Sequence, residues 1–194
     1  MLYRRLRGVY KLTDYQGFYF FANIFLFLGI AYFLRFIVVI LLASGIFFEG
    51  FTLEGFRGII SFNLAFLAYT SSVSILYAIY SLLWDKTSSY LGEVLIHVIS
   101  VLASFSILLL RPLPTFVIFQ LSLLLVLMIA ILVNYRYYSS GKIRKVYPIY
   151  LLLLTFWLLN LSLTFGLLRE LRIIIYTLSA ILILIICYKV LKKL

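Results

Sequence analysis

Glu93 and His97 stand four residues apart inside an apolar stretch. On an α-helix that spacing puts both side chains on one face, one turn apart. A carboxylate and an imidazole placed this way can pass a proton between them or hold a cation. Leaving water penalises the charge on each, and each charge stabilises the other. A plainer alternative is an ion pair between Glu93 and Lys86, seven residues earlier on the same face. Arg35 is a third ionisable group in an apolar run. Its planar guanidinium suits a phosphate or carboxylate, whereas a structural role would have it hold helix ends or reach outward to the interface.

Six apolar runs are long enough to carry these residues through a bilayer: roughly 18–46, 58–84, 90–110, 114–135, 147–168 and 172–190. A crossing helix needs about 20 mostly apolar residues. Runs two and three are joined only by Asp85 to Ser89, so they are expected to pair as antiparallel neighbours about a centre at Thr87. In that register Ser81 meets Glu93, Tyr77 meets His97, Ser74 meets Ser100 and Thr70 meets Ser104. Asn63 and Arg111 continue it. The steps of three and four keep each set on one helical face, which predicts a polar ladder along the seam. Ser61, Ala65, Ala68 and Ser72 form a second, small-residue stripe on run two. Such a stripe lets another helix approach closely and marks run two as the central packing helix.

Counting back from the outer end of run one puts Arg35 near mid-membrane, level with Tyr69 and Thr70. A charge there costs from about 3 to above 10 kcal/mol if it faces lipid, so it is expected to face protein or water. Thr70, Ser104, Gln120 and Asn160 are its candidate partners. Glu93 is eleven residues deeper, roughly 16 Å away, too far for a direct ion pair.

The composition agrees with a membrane bundle. The 194 residues are 65% hydrophobic and 12% charged, against about 45–50% and 25% in a soluble domain. Soluble enzymes, disordered tails and disulfide scaffolds are excluded. The formal charge of +11 does not point to nucleic acid, because the basic residues flank the apolar runs. With the N-terminus inside, 12 of the 17 Lys and Arg fall on the inner side and 4 on the outer, Arg35 being the remaining one. That asymmetry predicts cytoplasmic termini. One His and one Cys, Cys187, cannot form a structural zinc site or a bis-histidine haem site.

The expectation is an all-α, polytopic transmembrane bundle of about six spans in the cell membrane. Residues 1–17 form a basic interfacial segment and 18–194 a single six-helix domain. A cleaved signal peptide is disfavoured, since the first run is about twice the length of a signal's apolar region. That run either tilts as one span or bends near Arg35 and Gly45 into an interfacial piece. No nucleotide loop, GxSxG nucleophile or HExxH motif is present, and no cofactor or metal is implied. The function expected is a small transporter or permease component. It would move or bind a small solute or ion through a polar intramembrane seam of Arg35, Thr70, Tyr77, Glu93, His97, Ser100 and Ser104. The alternative is a non-catalytic accessory or assembly subunit of a larger membrane complex. The expected partners are the lipid bilayer and other membrane subunits, with no nucleic acid.

Overall fold

Hydrocarbon offers the backbone no hydrogen-bond partner, so an apolar run of membrane length closes its own bonds as a helix. The computed structural model describes residues 2–45, 53–83, 90–110, 112–137, 147–163 and 170–193, and among them it is all-helical. The helices are α1 (Leu2–Thr13), α2 (Gln16–Gly45), α3 (Leu53–Leu83), α4 (Tyr90–Leu109), α5 (Pro112–Tyr137), α6 (Tyr147–Ser162) and α7 (Arg172–Lys193). The six expected runs correspond to α2 through α7. Five of these, all but α6, contain a stretch long and apolar enough to span a membrane. The helix of the fifth run has 16 residues, about 24 Å at 1.5 Å per residue. Residues 164–169, including Thr164, lie outside the described residues. The first run is one continuous helix as far as Gly45, rather than a span followed by a separate piece.

The basic N-terminal segment is a helix in its own right. Leu6 is buried against α2 while Arg4, Arg5 and Lys11 are exposed, the division of an amphipathic helix. At its end Thr13 Oγ1 donates to the Val9 carbonyl at 2.8 Å. Asp14 follows with φ of 50°, a left-handed conformation that Asp tolerates better than most residues. The chain then turns directly into α2.

Helix α3 is the hub, packing against α2, α4 and α5. Ala65, Ala68 and Ser72 are all buried, so small side chains do let neighbours come close. Ser104 Oγ of α4 donates to the Ala65 carbonyl at 2.8 Å. Gln120 Nε2 of α5 donates to Ser71 Oγ at 2.6 Å and Ser72 Oγ at 3.3 Å. Ser74 Oγ donates to the Ile24 carbonyl of α2 at 3.1 Å. Near the C-terminal end of α3, Ser81 Oγ and the Tyr150 hydroxyl of α6 are 2.9 Å apart. Asn134 Nδ2 of α5 donates to the Leu82 carbonyl, and Asn134 Oδ1 accepts from the Tyr147 hydroxyl at 3.2 Å. One polar side chain thus joins α3, α5 and α6.

Ala68 has no exposed surface, and an extra three carbons there would force the neighbouring helices apart. Ala68→Leu is expected to lower the thermal unfolding temperature in detergent, with a cost of about 1–3 kcal/mol. Leu109→Ala, at a side chain 82% exposed, is expected to leave that temperature unchanged.

Candidate functional site

The polar residues of α2, α3 and α4 converge on Glu93 and His97. The α3–α4 pairing brings Tyr77 opposite His97 as the hairpin register predicts, with its hydroxyl 3.2 Å from Nε2. The same hydroxyl lies 3.1 Å from Glu93 Oε1. Tyr19 of α2 donates to that carboxylate oxygen at 2.8 Å. On the other side of the imidazole, the Tyr69 hydroxyl is 3.0 Å from Nδ1. The result is an unbroken file, Tyr19–Glu93–Tyr77–His97–Tyr69, running along the α3–α4 seam. Buried Asn23 lies beside the Tyr19 and Tyr77 hydroxyls.

Aromatic packing fixes this file. The rings of Phe20 and Phe27 stack on Tyr77 with centroids 6.0 and 5.8 Å away. Phe27 also lies 5.7 Å from the His97 ring. The Arg7 guanidinium of α1 sits 4.5 Å above the Tyr19 ring, a cation–π contact beside the carboxylate. Gly92 allows the first turn of α4 to reach α3, since a Cβ there would fall 2.5 Å from the Tyr80 hydroxyl.

A phenol has one proton to donate and lone pairs to accept with. Tyr77 therefore bridges in either of two senses. It donates to an ionised Glu93 while accepting from His97 Nε2–H, or it donates to His97 Nε2 while accepting from a protonated Glu93. Passing from the first to the second, starting from a His97 imidazolium, moves a proton from Nε2 to Tyr77 as the Tyr77 proton moves to Oε1. The phenol is regenerated, and a charged pair becomes a neutral one.

The remaining expected rungs do not form between side chains. Ser81 binds Tyr150 rather than Glu93, and Ser74 binds the Ile24 carbonyl rather than Ser100. Ser100 Oγ donates to its own helix at Ile96, 2.8 Å away, and Thr70 Oγ1 to Phe66 at 3.0 Å. Ser104 reaches the α3 backbone at Ala65 instead of Thr70. Short hydroxyl side chains find a carbonyl one turn back, or on a closely packed neighbour, before they find each other. Lys86, the hairpin turn 84–89 and Arg111 lie outside the described residues.

Arg35 belongs to a second locus, and its depth differs from that expected. The Ser74–Ile24 bond sets the α2–α3 register. Eleven residues on from Ile24 and eleven back from Ser74 bring Arg35 opposite Asn63, not Thr70. Both line one cavity of about 240 Å³ whose walls come from α2, α3, α5 and α6. The difference of seven residues is about 10 Å along the helix. It arises because α3 begins at Leu53, before the apolar run that starts at 58, whereas α2 ends at Gly45, close to the end of its run. Of the expected partners, Gln120 and Asn160 line the same cavity, while Thr70 and Ser104 are not in its lining and bond to backbone carbonyls of α3. The direct partner is Tyr176 of α7: Arg35 Nη2 donates to its hydroxyl at 2.7 Å and the guanidinium stands 5.3 Å from its ring centroid. Tyr32 donates to Asn160 Oδ1 at 2.5 Å in the same wall.

Sequence reasoning missed Tyr19, Asn23 and Tyr69 in the file, and Tyr176 beside Arg35. Tyr19, Asn23 and Phe27 follow one another at steps of four, a signal of a shared helical face that would have drawn α2 into the seam.

These features define a multi-pass α-helical membrane protein with ionisable groups tied together inside the bundle. The chain is 53% identical over 196 residues to a protein of Archaeoglobus fulgidus described as uncharacterized, the alignment covering all of this chain and 86% of the relative. The chain belongs to the family of that protein. No protein-family model and no solved structure matches it.

Tyr77→Phe keeps the buried ring and removes only the bridging hydroxyl. It is expected to cost about 0.6–2 kcal/mol, as for interhelical hydrogen bonds in membranes, and to leave the bundle folded. Infrared difference spectra should show the Glu93 carboxyl band, identified by its loss in Glu93→Gln, shifted in Tyr77→Phe. An unshifted band would separate Glu93 from Tyr77.

Proposed function

We propose that this protein is a transport component of the cell membrane that moves or binds a small solute or ion, with the Tyr19–Glu93–Tyr77–His97–Tyr69 file as its proton-handling part. The observation that carries the reading is the file itself. Four hydroxyl, carboxylate and imidazole contacts of 2.8 to 3.2 Å connect three helices without a gap. Packing alone does not require this. Isolated interhelical hydrogen bonds serve as well to hold helices together, and ionisable residues inside a bundle are costly unless they perform a task. The inner-side excess of Lys and Arg supports cytoplasmic termini, which would put Glu93 nearer the cytoplasmic surface and Arg35 nearer the outer one.

The test is proton movement in liposomes containing the purified protein and a lumenal pH-sensitive dye, under an imposed membrane potential. Wild-type protein is expected to change the lumenal pH at a carrier-like rate, and Glu93→Gln and His97→Gln to slow it at least tenfold. Unchanged rates in both variants, with the proteins folded, would remove the relay from function. If the wild type moves no protons and purifies in fixed stoichiometry with a second membrane protein, the accessory-subunit reading takes its place.

A further inference from the structure

The cavity beside Arg35 adjoins a second one, and the two share part of their walls. Leu28, Tyr32 and Phe156 line both. The second, about 610 Å³, is an almost wholly apolar groove between α2 and α7, with Phe156 of α6 in its wall and α1 at its far end. Its α7 lining runs from Tyr176 to Leu191, about 22 Å at 1.5 Å per residue. That is most of the roughly 30 Å thickness of bilayer hydrocarbon. Gly29 keeps the groove open midway, and a Cβ there would meet nothing within 4 Å.

The two compartments differ in chemistry. At the head lies the Arg35 guanidinium, whose hydrogen-bond partner among the described residues is the neutral Tyr176 hydroxyl. Among the described residues no carboxylate pairs with it. Trp157, 6% exposed, lines the first cavity with its Nε1–H unsatisfied, and Ser179, 5% exposed, lines the groove with its Oγ unsatisfied. A buried polar group without a partner costs about 1–3 kcal/mol. A purely apolar occupant would leave the Arg35 charge unanswered. A small hydrophilic anion would leave the groove unfilled.

We propose that α2, α6 and α7 form one binding site for an anionic amphiphile, its carboxylate or phosphate head at Arg35 and its hydrocarbon chain along α7. This names the ligand class for the transport reading above, and rests on that reading only for the movement of the ligand. Binding itself does not depend on the proton file.

The experiment measures binding to the purified, delipidated protein by thermal shift and native mass spectrometry. Its probes are oleate, dioleoyl phosphatidic acid, oleyl alcohol and inorganic phosphate. At least one of the two acidic amphiphiles is expected to bind at least tenfold more tightly than oleyl alcohol, and which one does so separates a carboxylate from a phosphate head. Inorganic phosphate alone is expected to give no shift. Arg35→Gln should remove the preference for acid over alcohol, and Arg35→Lys should keep it. Gly29→Phe, which fills open space, should weaken every chain-bearing probe tenfold without lowering the unfolding temperature of the ligand-free protein. Equal binding of acid and alcohol by the wild type overturns the proposal. So does an acid preference that survives in Arg35→Gln, or phosphate binding as tightly as the amphiphiles. If Arg35→Gln fails to fold, Gly29→Phe and the wild-type comparison still decide. Glu93→Gln is expected to bind as the wild type does. Amphiphile binding with no proton movement therefore defeats only the transport reading, and proton movement with no amphiphile binding defeats only this one.

Discussion

A polar group inside hydrocarbon must find its partner within the protein, and the reach of each side chain decides where that partner is. Neighbouring helix axes lie about 8–10 Å apart, and a serine or threonine hydroxyl rarely crosses that distance. Thr70, Ser100, Ser122 and Thr177 accordingly bond to carbonyls of their own helices. The exceptions fall where backbones come close, Ser104 at Ala65 and Ser74 at Ile24. Tyrosine, glutamine, asparagine, glutamate and arginine do cross, and they make the links that define the bundle. Some of them gather in the two loci described, and others, such as Asn134, Tyr147 and Tyr150, tie α3, α5 and α6 together.

Helix α2 keeps those loci apart while serving both. At 100° per residue, Tyr19, Asn23 and Phe27 drift slowly around one face and meet α3 and α4 at the proton file. Leu28, Tyr32 and Arg35 follow on the adjacent face and meet α3, α6 and α7 at the cavities. With α6 and α7, α2 makes links through long side chains: Phe21 to Tyr150, Tyr32 to Asn160 and Arg35 to Tyr176. Where backbones are held apart by side chains of that length, space remains between them, and the groove occupies it.

Much of the architecture was legible because it follows from length and loop constraints. The apolar runs fixed the helices, and the five-residue connection between runs two and three fixed their antiparallel register closely enough to place Tyr77 at His97. The small-residue stripe marked α3 as the hub. What loops do not constrain was lost. Helix α2 is tied to α3 through a longer connection, so neither its rotation nor its depth could be read, and with them went Tyr19, Asn23 and the level of Arg35. The Arg35–Tyr176 contact joins residues 141 apart, and no local spacing announces it. The basic N-terminal segment was visible as interfacial. Its use of Arg7 against Tyr19 was not, because that contact depends on how α1 folds back over α2 after Asp14.

The Tyr19–Glu93–Tyr77–His97–Tyr69 file is asymmetric, which bears on the proton movement proposed for it. At the Glu93 end the carboxylate takes hydrogen bonds from two phenols, and the Arg7 guanidinium covers the outer face of Tyr19. At the other end Tyr69 lies among Phe27 and Phe66, and among the described residues no side chain beyond His97 continues the line from it. A file with one polar end and one aromatic end is not an open wire. A proton reaching Tyr69 has nowhere further to go until α2 or α4 shifts enough to admit another polar group. Under the transport proposal, net proton movement across the bundle would require helix motion at each turnover, and its rate would be that of a conformational step and not that of hopping along fixed hydrogen bonds.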